Sequence, residues 1–362
     1  MNLTNGSTSE RNQELLERVG MLCADEIQTL QEYVGRLEQE RCGSKDALHG
    51  ILRRERMSRA LVCPKCGSIH FVKNGKTRQA RQKYRCMDCQ KSFSDTTDSI
   101  THSTKKSYRV WARYIECMDD GLTLEKTAQL CGISKTTAFA WRHKIMDSMG
   151  DCERDEVLGG EIQLDETYFL LNMKGFKKRG GKVMPRASKK RGTPAVKRGV
   201  SNEEACVLVA LDEDDQLIAK IIGQGNPTIE AIDRGLNQQV RAGSTMVTDS
   251  KSAYQEVSKR KRCDLHQIPS GFHTAGMHNL GSMNQLHSEM KNWFRRFRGV
   301  STKHLSKYLH WFRFRKYQQF RIEFEHRRRT MFLFSIVNQN KYLIRGIHRE
   351  PFPIDIKLPY VS

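Results

Sequence analysis

No run of about 18 consecutive apolar residues occurs in the 362-residue chain, so the sequence offers no membrane-spanning helix. Its first residues, MNLTNGSTSERNQ, lack the basic-then-apolar pattern of a secretion signal. Cysteine is neither rare nor paired off: there are 11, an odd number. Without a secretion signal these thiols read as reduced and cytoplasmic, not as a disulfide scaffold. Acidic residues are the scarcest where basic ones are densest. Lys174 to Arg198 holds 11 basic residues and no acid, and Lys291 to Thr330 holds 13 basic residues against Glu323 and Glu325. Those two blocks account for the whole net charge of +21, and the remainder is nearly neutral. Charge held in two patches points to a polyanion, most commonly nucleic acid, although a merely solvated basic surface has the same composition.

What is present falls into five stretches, expected as 1–58, 59–98, 101–150, 155–325 and 326–362. Residues 10–57 contain no proline and many Glu, Gln, Leu and Arg. Cys23, Ile27, Leu30, Val34 and Leu37 recur at heptad spacing for about two heptads, which fits an intramolecular helix pair or a coiled-coil dimer. The second stretch carries the strongest local signal. Cys63, Cys66, Cys86 and Cys89 form two CxxC pairs separated by 19 residues. Four soft thiolates suit one tetrahedral structural zinc and leave no open position for catalysis, so this reads as a zinc ribbon. Between the pairs, VKNGKTRQARQKY suggests short strands around an Asn-Gly turn. The other seven cysteines, Cys23, Cys42, Cys117, Cys131, Cys152, Cys206 and Cys263, read as small buried hydrophobes.

The third stretch has the layout of a helix-turn-helix. Leu124, Thr127, Ala128 and Leu130 would form the inner face of one helix, with Gly132 at the turn and Ile133 in the core. Ser134 would cap a second helix over about 135–149. Lys135, Thr136, Thr137, Phe139, Arg142 and Lys144 would then line or flank a DNA groove. A plain helical hairpin with a glycine turn has the same pattern.

From about residue 155 the pattern becomes β-β-β-α-β-α-β-α, with a hairpin turning at Asp212 to Asp215. That order fits an RNase H-like α/β domain, a mixed five-stranded sheet flanked by helices. In that topology the first and fourth strands are neighbours, which brings Asp165 and Asp249 to one crevice. Paired carboxylates supply the hard oxygens that Mg²⁺ prefers, and two such ions clamp the attacking and leaving oxygens of phosphoryl transfer. A third oxygen would come from a helix packed on the sheet. Asn284 offers a neutral carbonyl oxygen there, seven residues before Lys291, although an Asn after Gly281 and Ser282 also suits a helix N-cap. Glu289 is the rival third acid, rotated away from Asn284 on a helix. Glu166, next to Asp165, should point to the opposite sheet face. His287 lies one turn from both Asn284 and Lys291, placed to orient DNA or simply to pack. Arg295, Arg296, Arg298, Lys303, Trp311, Arg313 and Arg315 mix charge with aromatic rings, as a strand-gripping surface does. The aromatics at 293, 294, 308, 311 and 312 read more readily as core.

Asp165 in LDETYF, Asp249 in VTDSKSAY, and Asn284 with Lys291 in MNQLHSEMKNWFRRFRGVSTKHLSKYL carry a resemblance. They resemble the catalytic signature of bacterial insertion-sequence transposases of the DDE type. The similarity is to the subgroup with an N-terminal zinc ribbon and Asn as the third metal-binding residue. It covers roughly residues 60–320. It implies binding to an element's terminal inverted repeats, metal-dependent cleavage at the ends and strand transfer into target DNA. It implies two Mg²⁺ or Mn²⁺ on Asp165, Asp249 and Asn284, with Lys291 against the DNA, and one structural Zn²⁺. It also implies a cytoplasmic, nucleoid-associated protein that works on double-stranded DNA as a homodimer or higher oligomer. A DNA-binding regulator without catalysis and a metal-dependent nuclease without strand transfer are the alternatives.

Overall fold

The computed structural model describes residues 62–77, 82–150, 157–174, 199–321 and 353, apart from 95, 98, 103, 270, 271, 273, 276 and 277. The expected N-terminal helical segment, most of the first basic block, the boundary near 151–156 and the tail over 326–362, apart from 353, lie outside the described residues.

A small three-stranded antiparallel sheet comes first: β1 (Phe71–Lys76), β2 (Gln82–Cys86) and β3 (Ser92–Ser94), in that order. Tyr84 and Phe93 stack across it at 5.6 Å, and Phe71 meets both edge-on. Asn74-Gly75 does not make the hairpin turn that the dipeptide suggested. It lies inside β1, where the pairing with β2 slips between Lys73 and Lys76 and Gly75 takes φ +67°. The glycine supplies a bulge, not a reversal.

Three helices follow: α1 (Tyr108–Asp119), α2 (Leu124–Leu130) and α3 (Lys135–Gly150). In α1 the buried Trp111, Tyr114, Ile115 and Met118 recur at helical spacing. Gly132, at φ +58°, makes the turn between α2 and α3, and the Ser134 hydroxyl accepts from Thr137 N at 3.1 Å as the cap of α3. Thr127 and Ala128 face inward as expected, whereas Leu130 is 43% exposed and does not belong to the inner face.

The large sheet has the order β6-β5-β4-β7-β8, built from β4 (Glu161–Leu170), β5 (Glu204–Asp212), β6 (Leu217–Gln224), β7 (Thr245–Asp249) and β8 (Asp264–Ile268). The first three pair antiparallel as a meander; β7 then runs parallel to β4, and β8 parallel to β7. β5 is buried along nearly its whole length, which is why its sequence, EACVLVALD, is continuously apolar instead of alternating. Asp212 shapes the β5–β6 hairpin: its Oδ1 accepts from Asp214 N at 3.1 Å and Gln216 N at 2.8 Å.

One sheet face packs on α4 (Ile229–Leu236) and α5 (Ala253–Lys261), with Ile162, Leu164, Ile232, Leu236, Tyr254 and Val257 between. The other packs on α6 (Gly281–Arg295) and α7 (Leu305–Arg321). The break between α6 and α7 holds Gly299 at φ +98°. A short ladder, β9 (Thr274–Ala275) with β10 (His278–Asn279), precedes α6 and had no counterpart in the sequence reading.

The second core also takes in α1, α2 and α3. Trp111 and Trp141 stack at 3.6 Å within it. α3 is therefore enclosed along most of its length, and this corrects two expected DNA contacts. Arg142 is 2% exposed and donates to Leu122 O at 2.8 Å. Lys144 is 6% exposed and donates to Ile100 O at 3.0 Å. Both long side chains satisfy buried carbonyls instead of reaching a groove. Lys135 and Thr136 are exposed and Thr137 is half-buried, so only the first turn of α3 faces solvent. Trp311 and Arg313 are likewise in the core, not on a surface that grips a strand. The Arg315 side chain donates to Asp119 O at 2.8 Å. Trp293, Phe294, Tyr308, Trp311 and Phe312 are all buried, as core aromatics should be. No described helix is long and apolar enough to cross a membrane.

Candidate active site and metal centre

β4 and β7 lie side by side and run the same way, with Leu164 opposite Thr248. One residue past that pair stand Asp165 and Asp249, at the same level of adjacent strands. Alternation sends Leu164 and Glu166 toward α5, so Asp165 points to the opposite face, toward α6. That face is marked by Gln163, whose Oε1 accepts from Met283 N at 3.3 Å, and by His287, whose Nδ1 lies 3.7 Å from Asp165 Oδ2. The parallel pairing thus brings together carboxylates 84 positions apart in the chain.

The surroundings are only partly wet. Burial, reinforced by the charges of Glu166 and Asp249 and opposed by the N–H that Glu166 donates at 2.8 Å, pushes Asp165 up to about 6. Burial and the neighbouring ammonium groups of Lys291 and Lys251 hold His287 down to about 4, so it is neutral at pH 7. A divalent cation binds the ionised form and would draw such a raised carboxyl back to the carboxylate. The carboxylate oxygens of Asp165 and Asp249 are hard donors of the type that Mg²⁺ or Mn²⁺ takes.

α6 begins at Gly281, and Asn284 N donates to Leu280 O at 3.0 Å. Asn284 is therefore inside the first turn and is not the N-cap. It is exposed, as is Lys291. His287 lies three residues after the one and four before the other, so all three share a helix face, and His287 places that face against Asp165. Glu289 turns elsewhere: it accepts from Gln285 at 3.1 Å and pairs with Lys316 of α7 at 2.5 Å.

Sequence reasoning missed Lys251 and Tyr254. Glu166, fully buried at its carboxylate, pairs with Lys251 Nζ and accepts from Tyr254 OH at 2.9 Å. The same ammonium lies 3.5 Å from Asp249 Oδ2. The only sequence signal was position: Lys251 is two residues after Asp249.

The second centre is in the small sheet. The sulfurs of Cys63, Cys66, Cys86 and Cys89 all lie within 4.8 Å of one another, with Cys63–Cys89 at 3.5 Å and Cys66–Cys86 at 3.6 Å. Four thiolates around one zinc at about 2.3 Å would stand about 3.8 Å apart, so the set fits a tetrahedral ion. Backbone N–H groups of Cys89 and Asp88 bring Cys86 down to about 6, while burial and the other three thiols push its neighbour Cys66 up to about 12.

Arg295, Arg296 and Arg298 are exposed and Lys303 is half-buried, beyond the end of α6. A groove of about 530 Å³ at the far edge of the sheet, lined by Lys220, Ile222, Arg234 and Pro353 among others, contains no acid and lies away from the aspartates.

Three comparisons bear on this arrangement. Residues 157–316 match the family described as the ISXO2-like transposase domain. The chain is 22% identical over 270 residues to an uncharacterized protein in transposable element ISH50 of Halobacterium salinarum, covering 74% of this chain and 88% of that one. Among solved structures, a pre-cleavage Mos1 transpososome overlaps 62% of this chain and 78% of its own at 11% identity and a TM-score of 0.20. The Mos1 strand transfer complex overlaps 68% and 77% at 12% identity and a TM-score of 0.25. Overlaps at such scores define no shared fold, and the sheet order above rests on this chain's own strand pairing. The two sequence matches are thus to a transposase domain, over 157–316, and to a protein of a transposable element.

Proposed function

We propose that the chain is a DNA transposase that cuts at the ends of its insertion element and joins them to target DNA. The observation that carries this reading is the side-by-side placement of Asp165 and Asp249 on parallel strands, with His287 of α6 3.7 Å from Asp165. Divalent metal ions, when bound, activate the attacking oxygen and stabilise the leaving one in an in-line displacement at phosphorus. Asp165, Asp249 and the Asn284 carbonyl would hold them. Neutral Asn284 leaves the ligand set with two formal negative charges instead of three. Lys291 would hold a DNA phosphate beside the carboxylates. Because water and a 3′-OH attack phosphorus by the same geometry, one set of residues serves cleavage and joining, and no Ser or Tyr nucleophile is required.

The cysteine quartet would be a structural zinc ribbon, and α2 with the first turn of α3 a helix-turn-helix, together reading the terminal inverted repeats. Lys135, Thr136 and Thr137 remain the groove-facing residues in this reading. Arg295, Arg296, Arg298 and Lys303 would follow the DNA backbone. The five-part division of the chain, and assembly as a homodimer or larger oligomer on DNA, belong to the same proposal.

The test uses duplex DNA carrying the inverted repeats that flank the gene. Mg²⁺-dependent cleavage at the repeat, abolished by Asp165→Ala or Asp249→Ala with repeat binding retained, supports the reading. Binding without cleavage under any divalent ion makes the chain a regulator. Cleavage without joining to a second duplex makes it a nuclease.

A further inference from the structure

We propose that Glu166 and Tyr254 form a clamp that parks the Lys251 ammonium away from Asp249, and so set how tightly the site takes up its metal. This rests on the reading of Asp165 and Asp249 as metal ligands. Lys251 has two anionic neighbours on opposite sides. On the α5 side, the Glu166 carboxylate is fully buried and makes the closer contact. On the other, Asp249 Oδ2 lies 3.5 Å from the same nitrogen and is 37% exposed at its side chain. A metal and the ammonium would compete for that Asp249 oxygen, because both are cations and both need its lone pairs. Glu166 decides the competition. It faces the sheet side opposite to Asp165, so it stands apart from the ligand set, yet it attracts Lys251 from within a buried position where a paired charge interacts strongly. Tyr254, completely buried, donates to the second carboxylate oxygen and keeps that group from rotating away. Glu166, Tyr254 and Lys251 act here as positioning residues, through Asp249.

The clamp makes opposite predictions for its two ends, which a merely structural network does not. Glu166→Gln leaves Lys251 to the carboxylates of the ligand set, Asp249 at 3.5 Å and Asp165 farther off, and strengthens the competitor. Lys251→Met removes the competitor. The measurement is Mn²⁺ binding to the full-length, zinc-loaded protein without DNA, by calorimetry and by the EPR signal of free Mn²⁺. Mg²⁺ titration of end cleavage runs in parallel. Glu166→Gln should weaken Mn²⁺ binding and raise the Mg²⁺ needed for half-maximal cleavage by roughly three- to tenfold. Lys251→Met should shift both the other way. The double variant should return to or below the wild-type requirement, since the clamp has nothing left to hold. Tyr254→Phe should give a smaller shift in the direction of Glu166→Gln and serves if Glu166→Gln does not fold. The proposal is overturned if Lys251→Met weakens Mn²⁺ binding or leaves it unchanged. It is equally overturned if the double variant binds no better than Glu166→Gln alone. Asp249→Ala is the control: Mn²⁺ binding unchanged in that variant would overturn the metal-site reading itself, whatever the clamp variants do.

Discussion

Arg142 carries a guanidinium into a site 2% exposed, bonded to the Leu122 carbonyl and 5.7 Å from the Trp311 ring centroid. Truncation there strips a buried acceptor of its donor and opens a gap between α3 and α7. Arg142→Ala should therefore destabilise the protein by about 2–4 kcal/mol. Denaturant unfolding checks this. Loss of DNA affinity at unchanged stability would instead return Arg142 to a groove. Asn284 and Glu289 make a second residue-scale pair. On the proposed ligand set, Asn284→Ala removes one metal oxygen and should lower cleavage by more than about tenfold. Asn284→Asp should retain partial activity. Glu289→Gln should be nearly harmless, since its carboxylate is occupied by Lys316 and Gln285. If Glu289→Gln abolishes cleavage in a folded protein, the third ligand is Glu289. The two aspartates were legible because strand order and acid position are both written locally. The fate of Arg142 was not. α3 buries Ala138, Ala140, Trp141, Ile145, Met146 and Met149 on several sides, so its sequence has no single apolar stripe to say which basic residues turn inward.

At the scale of elements, the α3–α7 interface stores a pH dependence. His143 is 1% exposed and packs against His304 at 4.3 Å and Phe139 at 4.3 Å. Burial, with the nearby charges of His304, Lys307, Arg142 and Lys303, holds it down to about 2. The folded chain thus keeps this ring neutral, whereas the unfolded chain protonates it below the ordinary 6.5. Its contribution to stability is full above about pH 6.5 and is lost as pH falls toward the folded value. From pH 7.5 to 5.5 that loss is about 1.4 kcal/mol from this residue. His287 titrates in the same direction. Urea midpoints measured across that window should fall toward acid, and His143→Gln should flatten the fall even if it lowers stability throughout. The ribbon makes a complementary case. Cys63→Ser with Cys66→Ser should release one zinc per chain and unfold β1–β3, while the large sheet, whose cores exclude those residues, keeps its fold. Zinc retained in that double variant refutes the site. The quartet was readable from spacing alone, but the bulge at Asn74-Gly75 was not. An Asn-Gly pair satisfies a turn and a bulge equally, and only the partner strand decides between them.

For the whole molecule, charge and chemistry are separated in space. The two carboxylates sit at the carboxyl end of β7 on the α6 side. Arg295, Arg296 and Arg298 extend that same helix into solvent and the turn beyond it. A phosphodiester backbone drawn along the arginines would pass Lys291 before reaching the aspartates, because Lys291 lies one turn of α6 nearer to them. Contacts of this kind are electrostatic and indifferent to base sequence. Replacing Arg295, Arg296 and Arg298 together by alanine should weaken binding to random duplex and to the inverted repeat by similar factors. The slope of log affinity against log salt should become shallower by up to about three, near one for each phosphate contact removed. Substituting Lys135 and Thr136 at the start of α3 should do the reverse: affinity for the repeat should fall more than for random duplex, with the slope changed by about one at most. Both effects are read in one experiment, fluorescence anisotropy of labelled repeat and random duplexes over a salt series. If the arginine variant loses only the repeat, those residues read bases. If the α3 variant loses both duplexes equally, its first turn grips only phosphate, and end recognition lies elsewhere in the chain.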